Sequence, residues 1–178
     1  MTRNSLTCDI FCRVVDNYGD IGVCWRLARQ LAAEHGLAIR LVVDNLQAFC
    51  RIAPEVDTGK NVQMVSGVAI VHWVESLDLD RAASIVIEAF ACELPKSYLQ
   101  HMVASGNAPL WINLEYLSAE PWVATHHLLP SPHPALPLCK WFFFPGFTTG
   151  TGGLIREHDV PASWSPAPPA PPAQPERP

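Results

Sequence analysis

The sequence is poor in charged side chains, and poorer still in basic ones. Only 16% of its 178 residues are charged, and 17 acidic residues against 12 lysines and arginines give a formal charge of −5. A nucleic-acid-binding surface needs a basic field to displace counterions, so direct contact with DNA or RNA is not expected. No apolar run approaches the roughly 18 residues that cross a bilayer, and polar residues interrupt the amino-terminal positions before a signal-peptide core could form. We therefore expect a soluble, cytoplasmic protein that does not enter a membrane.

Spacings typical of a metal site are missing as well. None of the six cysteines forms a Cys-x-x-Cys pair with a matching partner, and no two of the seven histidines are spaced as His-x-x-x-His. These are the spacings with which a loop or one helix face holds zinc. We therefore expect neither a metal ion nor another cofactor, and we expect the cysteines to be reduced thiols of the core.

The residues that are present suit one globular α/β domain. Hydrophobic residues make up 49% of the chain, enough for a single core at this length. Short β-branched runs predict strands, and apolar residues at helical spacing predict helices between them. The predicted strands cover residues 8–15, 38–43, 84–90 and 110–114, with a broadly extended segment at 62–73. The predicted helices cover residues 21–35, 46–52 and 98–104. This alternation predicts a parallel sheet covered by helices on both faces.

Proline sets the limits of the predicted sheet. Four prolines within residues 126–138 predict an irregular connection that is not part of the sheet. Residues 141–144, a tryptophan followed by three phenylalanines, are expected to be buried. Eight of the 17 prolines lie within residues 161–178 among alanines and serines, a composition that favours solvated polyproline segments. We expect a folded domain over residues 1–157 and a disordered tail over 158–178.

The most informative loop follows the first predicted strand. It reads Asp-Asn-Tyr-Gly-Asp-Ile-Gly over residues 16–22, between that strand and the first helix. Ligands of parallel α/β sheets bind at the carboxyl ends of the strands, where helix N-termini offer free N–H groups. The loop lacks the glycine pattern of dinucleotide-binding folds and of phosphate loops. Its carboxylates, Asp16 and Asp20, either cap the helix or face a cationic substrate, and spacing alone leaves both interpretations open.

Longer segments carry a resemblance to a known family. Residues 9–31, 88–95, 111–122, 129–132 and 142–157 resemble, in the same order, the elongation factor P arginine rhamnosyltransferases. The resemblance covers residues 9 to about 157. Two positions depart from it: Ala91 stands where glycine is expected, and Thr149 where proline is expected.

The resemblance implies a fold and a reaction. The family has two Rossmann-like domains facing a cleft, the GT-B glycosyltransferase arrangement, so this chain would be the N-terminal domain, with the C-terminal donor-binding domain absent. The family transfers rhamnose from dTDP-β-L-rhamnose, a nucleotide sugar, to an arginine of translation elongation factor P, with inversion and without a metal.

The resemblance also suggests roles for individual residues of the loop. Asp20 would be the general base or charge-localising group, and Asp16 its orienting companion. Asn17, Gly19 and Gly22 would contact the substrates from the same loop. In addition, Glu115 is a candidate acceptor-side residue, because it follows a strand-like run. Tyr116, Trp122 and Trp141 are expected to be packing residues only.

Two other functions remain compatible with the sequence. One is a non-catalytic module that docks elongation factor P, and the other is a generic nucleotide-binding α/β domain. Because the family's donor pocket lies mainly in its second domain, we expect this chain by itself to be inactive. Its short length could come from a truncation, a frameshift or excision of a fragment.

Overall fold

A computed structural model describes residues 6–15 and 18–158. The helices are α1 (Gly19–His35), α2 (Leu46–Ile52), α3 (Lys96–Ala104) and α4 (Val123–His126). The first strands are β1 (Thr7–Cys12), β2 (Ala38–Val43), β3 (Val62–Val65) and β4 (Val68–His72). The later strands are β5 (Ile85–Ala89), β6 (Leu110–Leu114), β7 (Pro130–Pro132) and β8 (Cys139–Phe143). The predicted tail lies outside the described residues, apart from its first residue.

All eight strands form one mixed, mostly parallel sheet with the order β3-β4-β2-β1-β5-β6-β8-β7. The six inner strands pair in parallel, and one antiparallel strand closes each edge. The predicted α/β class with a sheet flanked by helices is therefore confirmed. The extended segment predicted at residues 62–73 is a hairpin, with Ser66 and Gly67 at positive φ between β3 and β4.

The helices cover both faces of the sheet. Alternate residues of β1 point to opposite faces, as the pleat requires. On one face, Ile10 packs with Ile21 and Trp25 of α1. On the other face, Phe11 packs with Tyr98 of α3, and their rings meet edge to face with centroids 4.6 Å apart. The six cysteines are free thiols in or near these cores, and burial raises the pKa of Cys8 to about 12.

One prediction about the sheet edge is wrong. The proline-rich stretch at residues 126–138 was expected to stay outside the sheet, but it contributes the edge strand β7. Prolines are compatible with an edge strand, because the side without a neighbour needs no N–H donors. Flanking residues supply the bonds instead: Leu128 N–H donates to Phe142 O, and His133 N–H donates to Leu138 O, both over 2.8 Å.

The prediction that residues 141–144 are buried is correct only for the last of them. Phe144 is 8% exposed, but Trp141 is 39% exposed, and the two phenylalanines between them are partly buried. The cause is position, because β8 lies beside the edge strand β7, away from the centre of the sheet. No helix among the described residues is both long and apolar enough to cross a membrane.

The segment after β8 returns to the outer side of α1. Glu157 accepts two hydrogen bonds from the Arg26 guanidinium, at 2.7 and 2.8 Å, and Gln30 donates to the Arg156 carbonyl oxygen. His158 contacts Glu34 one turn further along the helix. These contacts follow one stripe of α1 at a spacing of four residues, so the end of the described chain is fixed to the helix that begins at the acidic loop.

Candidate active site

The strand order reverses beside β1. The chain passes from β1 through α1 to β2 on one side, whereas β5 pairs with the other side of β1. Loops leaving β1 and β5 therefore diverge to opposite faces and leave a crevice at the carboxyl edge of the sheet. A cavity of about 240 Å³ lies there, lined by Arg13 and Val15 of one loop and by residues 90–93 of the other.

Asp20 is held rigidly in the first turn of α1. It is only 1% exposed, and its Oδ2 accepts a hydrogen bond from Val15 N–H over 2.9 Å. Its Oδ1 accepts a hydrogen bond from the Tyr116 hydroxyl, also over 2.9 Å. The Tyr116 ring in turn stacks on Phe90, with centroids 4.3 Å apart. Loops after three different strands thus fix this carboxylate.

The loop after β1 is further ordered by a second carboxylate and by an aromatic ring. Val14 N–H donates to Asp44 Oδ1 over 2.9 Å, at the end of β2. The Arg13 guanidinium lies 4.7 Å from the centroid of the Trp73 ring, a cation–π distance. Cys92 also lines the cavity, but burial raises its pKa and its thiol donates to Phe11 O, so it is not a ready nucleophile.

The loop after β5 has an unusual backbone. Phe90, Ala91 and Glu93 have φ values of 56°, 51° and 55°, in the left-handed region that disfavours L-residues with side chains. Hydrogen bonds hold this shape: Phe90 N–H donates to Leu114 O over 2.7 Å, and Glu93 N–H donates to Glu88 Oε1 over 3.2 Å. Several strained residues in one loop at a crevice are typical of a functional site.

Glu115 follows β6 directly, and its neighbour Tyr116 is the residue bound to Asp20. Its carboxylate is half-buried, and burial raises its pKa. Asn113 Nδ2–H donates to Glu115 Oε1 over 2.6 Å, and this hydrogen bond acts in the opposite direction on the pKa. Glu115 therefore lies at the same edge of the sheet as Tyr116, the residue that binds Asp20.

A larger cavity, of about 610 Å³, lies at the opposite, amino edge of β6 and β8. Its lining is mainly proline and leucine with Trp141, and it holds no acidic group. Size alone would favour this cavity as the ligand site, but the side chains able to act on a polar substrate lie at the carboxyl edge of the sheet. No three histidine, cysteine or acidic side chains of residues 6–15 and 18–158 are grouped as metal ligands.

Comparison with known proteins assigns the family. Residues 8–169 match the family described as elongation factor P (EF-P) rhamnosyltransferase EarP. The chain belongs to the EarP family. It is 58% identical to a protein-arginine rhamnosyltransferase of Pseudomonas putida over 151 residues, which are 85% of this chain and 40% of that protein. The corresponding protein of Neisseria meningitidis is 42% identical over 161 residues, 89% of this chain and 41% of the relative. The chain therefore spans about two fifths of the length of these relatives.

The structure brings part of the predicted EarP site together. Asp20, Gly19 and Gly22 lie in the first turn of α1, where Gly22 N–H donates to Tyr18 O over 2.9 Å. Asp16 and Asn17 lie outside the described residues, so their roles remain predictions. A Cβ at Gly22 would meet only Ile52 Cδ1, at 4.0 Å, so packing within the domain does not require glycine there.

Tyr116 and Phe90 are the residues that sequence reasoning missed. Tyr116 was expected to serve for packing, and its ring does stack on Phe90, but its hydroxyl also donates to Asp20 Oδ1. The available signal was its place directly after a strand, beside Glu115, at the edge where ligands collect. Trp122 is half exposed and meets Phe144 edge to face, which agrees with the packing role predicted for it.

The backbone at Ala91 explains why the EarP resemblance favours glycine there. Replacing Ala91 with glycine should stabilise this chain by about 0.5–1 kcal/mol. The change removes about 1–2 kcal/mol of left-handed strain from the folded chain. Glycine also makes the unfolded chain more flexible, which offsets about 0.4–1 kcal/mol of that gain in stability. Urea unfolding measures the difference. Ala33→Gly, at an exposed helical position, should instead destabilise by about 1 kcal/mol. Equal destabilisation by both changes would contradict the strain at Ala91.

Proposed function

We propose that this chain is the acceptor-side domain of a protein-arginine rhamnosyltransferase, equivalent to the N-terminal domain of a two-domain GT-B enzyme. The observation that carries the proposal is the rigidly held Asp20 carboxylate at the strand-order reversal of an EarP-family domain. The names of the relatives support arginine as the acceptor and rhamnose as the transferred sugar. The family description supports elongation factor P as the partner, and this partner implies a cytoplasmic location.

The proposed chemistry addresses the weakness of arginine as a nucleophile. A guanidinium stays protonated, and its charge is spread over three nitrogens. A fixed carboxylate that hydrogen-bonds two N–H groups draws the charge toward itself and leaves the third nitrogen better able to attack. Holding that nitrogen in line with the sugar carbon adds the benefit of proximity. Asp20 would have this role, with Asp16 orienting the same guanidinium. The proposal invokes no metal or other cofactor.

Access to Asp20 would pass through Tyr116. Asp20 is buried, whereas 52% of the Tyr116 surface is exposed above it. We propose that the incoming guanidinium replaces the Tyr116 hydroxyl as the donor to Asp20 Oδ1. The exchange is favourable because a charged N–H donor binds a carboxylate more strongly than a neutral hydroxyl does. The Tyr116 ring, braced by Phe90, would then form one wall beside the arginine side chain.

The donor would approach the start of α1 from the cleft side. The first turn of a helix has free N–H groups and a partial positive charge, which favour the diphosphate that leaves the sugar. Gly19 and Gly22 lie in this turn and leave room for dTDP-β-L-rhamnose, and Asn17 precedes it in sequence. Most donor contacts would come from the part of the relatives that lies beyond this chain's match, so this chain alone should bind the donor weakly.

Mass spectrometry tests the proposal directly. This chain, incubated with dTDP-rhamnose and elongation factor P, should give no gain of one deoxyhexose on the factor, whereas the full-length Pseudomonas putida relative should give it. Titration calorimetry should nevertheless show that this chain binds the factor. Binding should weaken when the acceptor arginine of the factor is replaced by alanine. Sugar transfer by this chain alone would overturn its proposed inactivity. Equal affinity for the wild-type factor and for the factor with alanine at the acceptor arginine would overturn the acceptor role.

A further inference from the structure

A second buried polar group lies on the face of the sheet covered by α3, close to Glu115. Glu88 of β5 is 2% exposed, and its Oε2 accepts hydrogen bonds from Lys140 Nζ at 3.2 Å and from Trp111 Nε1–H at 3.1 Å. The Lys140 ammonium also lies 5.1 Å from the centroid of the Trp111 ring. We call Glu88, Trp111, Asn113 and Lys140 the inner polar cluster. Its members come from three adjacent strands, and Trp111 among them also packs in the core of this face.

Asn113 is the least satisfied member of the inner polar cluster. The residue is completely buried, and its Nδ2–H donates to Glu115 Oε1 over 2.6 Å. Its Oδ1 is buried without a hydrogen-bond donor among the described residues. An unpaired buried acceptor costs stability, and an apolar side chain of similar shape would avoid that cost. A residue that lowers stability in this way is expected where function requires its other contacts.

The cluster acts on the carboxylate of Glu115 from two sides. Burial raises the pKa of Glu115, and the negative charge of Glu88 raises it further. The hydrogen bond from Asn113 and the Lys140 ammonium both lower this pKa. Lys140 therefore pairs with Glu88 and also attracts the Glu115 charge, while Asn113 fixes the direction of the Glu115 carboxylate.

We propose that Asn113 and Lys140 are positioning residues that hold the Glu115 carboxylate at the carboxyl edge of the sheet as a second contact for the arginine of the acceptor protein. This inference rests on the proposed function and deepens it. Glu115 and Tyr116 are the first two residues after β6, so Glu115 lies at the same carboxyl edge of the sheet as the Tyr116 hydroxyl that binds Asp20, with its side chain toward Asn113 on the α3 side. The inner polar cluster is buried behind Glu115 and does not itself touch the acceptor.

The first test needs no ligand, because it follows the carboxyl-carbon NMR signal of Glu115 in this chain as pH changes. Asn113→Leu should raise the titration midpoint, since it removes a hydrogen bond to the ionised form. Glu88→Gln should lower it, since it removes a neighbouring negative charge. Adding Lys140→Met to the Glu88→Gln chain should raise it again. Asn107→Leu, the same change at an exposed position, should leave it in place. An unmoved midpoint in the first two variants would overturn the positioning role.

The second test separates positioning from a purely structural role. Asn113→Leu should keep or raise the melting temperature of this chain, because it removes the unpaired buried acceptor. The same variant should weaken binding of elongation factor P by about three- to tenfold at neutral pH, because it loosens a contact of the acceptor without removing it. A lower melting temperature with unchanged binding would mean that Asn113 is structural, and would overturn the proposal.

The two tests also distinguish the inference from the proposed function. If the wild-type chain does not bind elongation factor P, the proposed function fails, while the titrations still decide whether the cluster controls Glu115. If the titrations move as expected but the affinity of Asn113→Leu does not change, Glu115 is not an acceptor contact. That result would overturn the inference and leave the role of Asp20 standing.

Discussion

Asparagine in place of the aspartate matching Asp20 should slow sugar transfer by the full-length Pseudomonas putida relative by about 100- to 10,000-fold. The change removes the charge that would localise the positive charge of the guanidinium and accept its proton. Asparagine has nearly the same shape as aspartate, and its oxygen can still accept the hydrogen bond from Val15 N–H. Its amide N–H can donate to the Tyr116 hydroxyl oxygen, so the local fold should survive.

The measurement compares turnover and binding in matched variants. Turnover is followed by the mass of elongation factor P in the relative, and binding is followed by titration calorimetry of this chain carrying Asp20→Asn. Affinity for the factor should fall by about tenfold, the scale of one hydrogen bond to a charged group, which is far less than the loss of turnover. Asp80→Asn, an exposed position of this chain, controls for the loss of one negative charge. Turnover of the relative's variant at more than a tenth of the wild-type rate would exclude the matched residue as the reacting base.

The largest effect on stability is expected at Asp9, far from the site. Asp9 is 1% exposed on β1 and accepts hydrogen bonds from the Arg40 guanidinium and from the Tyr98 hydroxyl. Asp9→Asn should lower the free energy of unfolding by about 3–5 kcal/mol, because it leaves the Arg40 charge unpaired in the protein. Arg40 is 29% exposed, so the lower end of that range is expected.

Urea unfolding of this chain measures the effect of Asp9→Asn. A domain of this size is typically stable by about 5–15 kcal/mol, so the midpoint should fall by a large fraction. Asp78→Asn is the matched control, since Asp78 pairs with His101 at the surface and is 74% exposed. The control should change stability by less than about 1 kcal/mol. Equal losses of stability in Asp9→Asn and Asp78→Asn would contradict the claim that the buried ion pair stabilises the domain more than the exposed one.

The inner strands were predictable because their signal is local. Buried parallel strands read as short apolar runs, and β2, β5 and β6 lie within one residue of their predicted bounds. Helix α1 ends at Gly36, whose φ of 65° is the left-handed stop that its glycine predicts. Edge strand β7 was not predictable in this way. Its prolines argue against a strand until the neighbouring β8 shows that it lies at an edge.

The site could be predicted from the sequence only where reactive side chains occur together in a loop between a strand and a helix. Asp20 could be selected from the sequence, because two carboxylates follow the first strand and precede a helix. Its partner Tyr116 is 96 residues further along the chain, and only the order of the strands brings the two together. The left-handed backbone at Ala91 and the unpaired Oδ1 of Asn113 depend on tertiary packing, which no local pattern encodes.

NMR of the acceptor arginine side chain tests the central claim most directly. Elongation factor P with isotope-labelled arginine is titrated with this chain, and the guanidinium N–H signals of the acceptor arginine are followed. A charged hydrogen bond to Asp20 should slow rotation and solvent exchange of that guanidinium, and the Asp20→Asn chain should leave its signals close to those of the free factor. Guanidinium signals that stay unchanged while the backbone of the factor reports saturated binding to the wild-type chain would contradict the account.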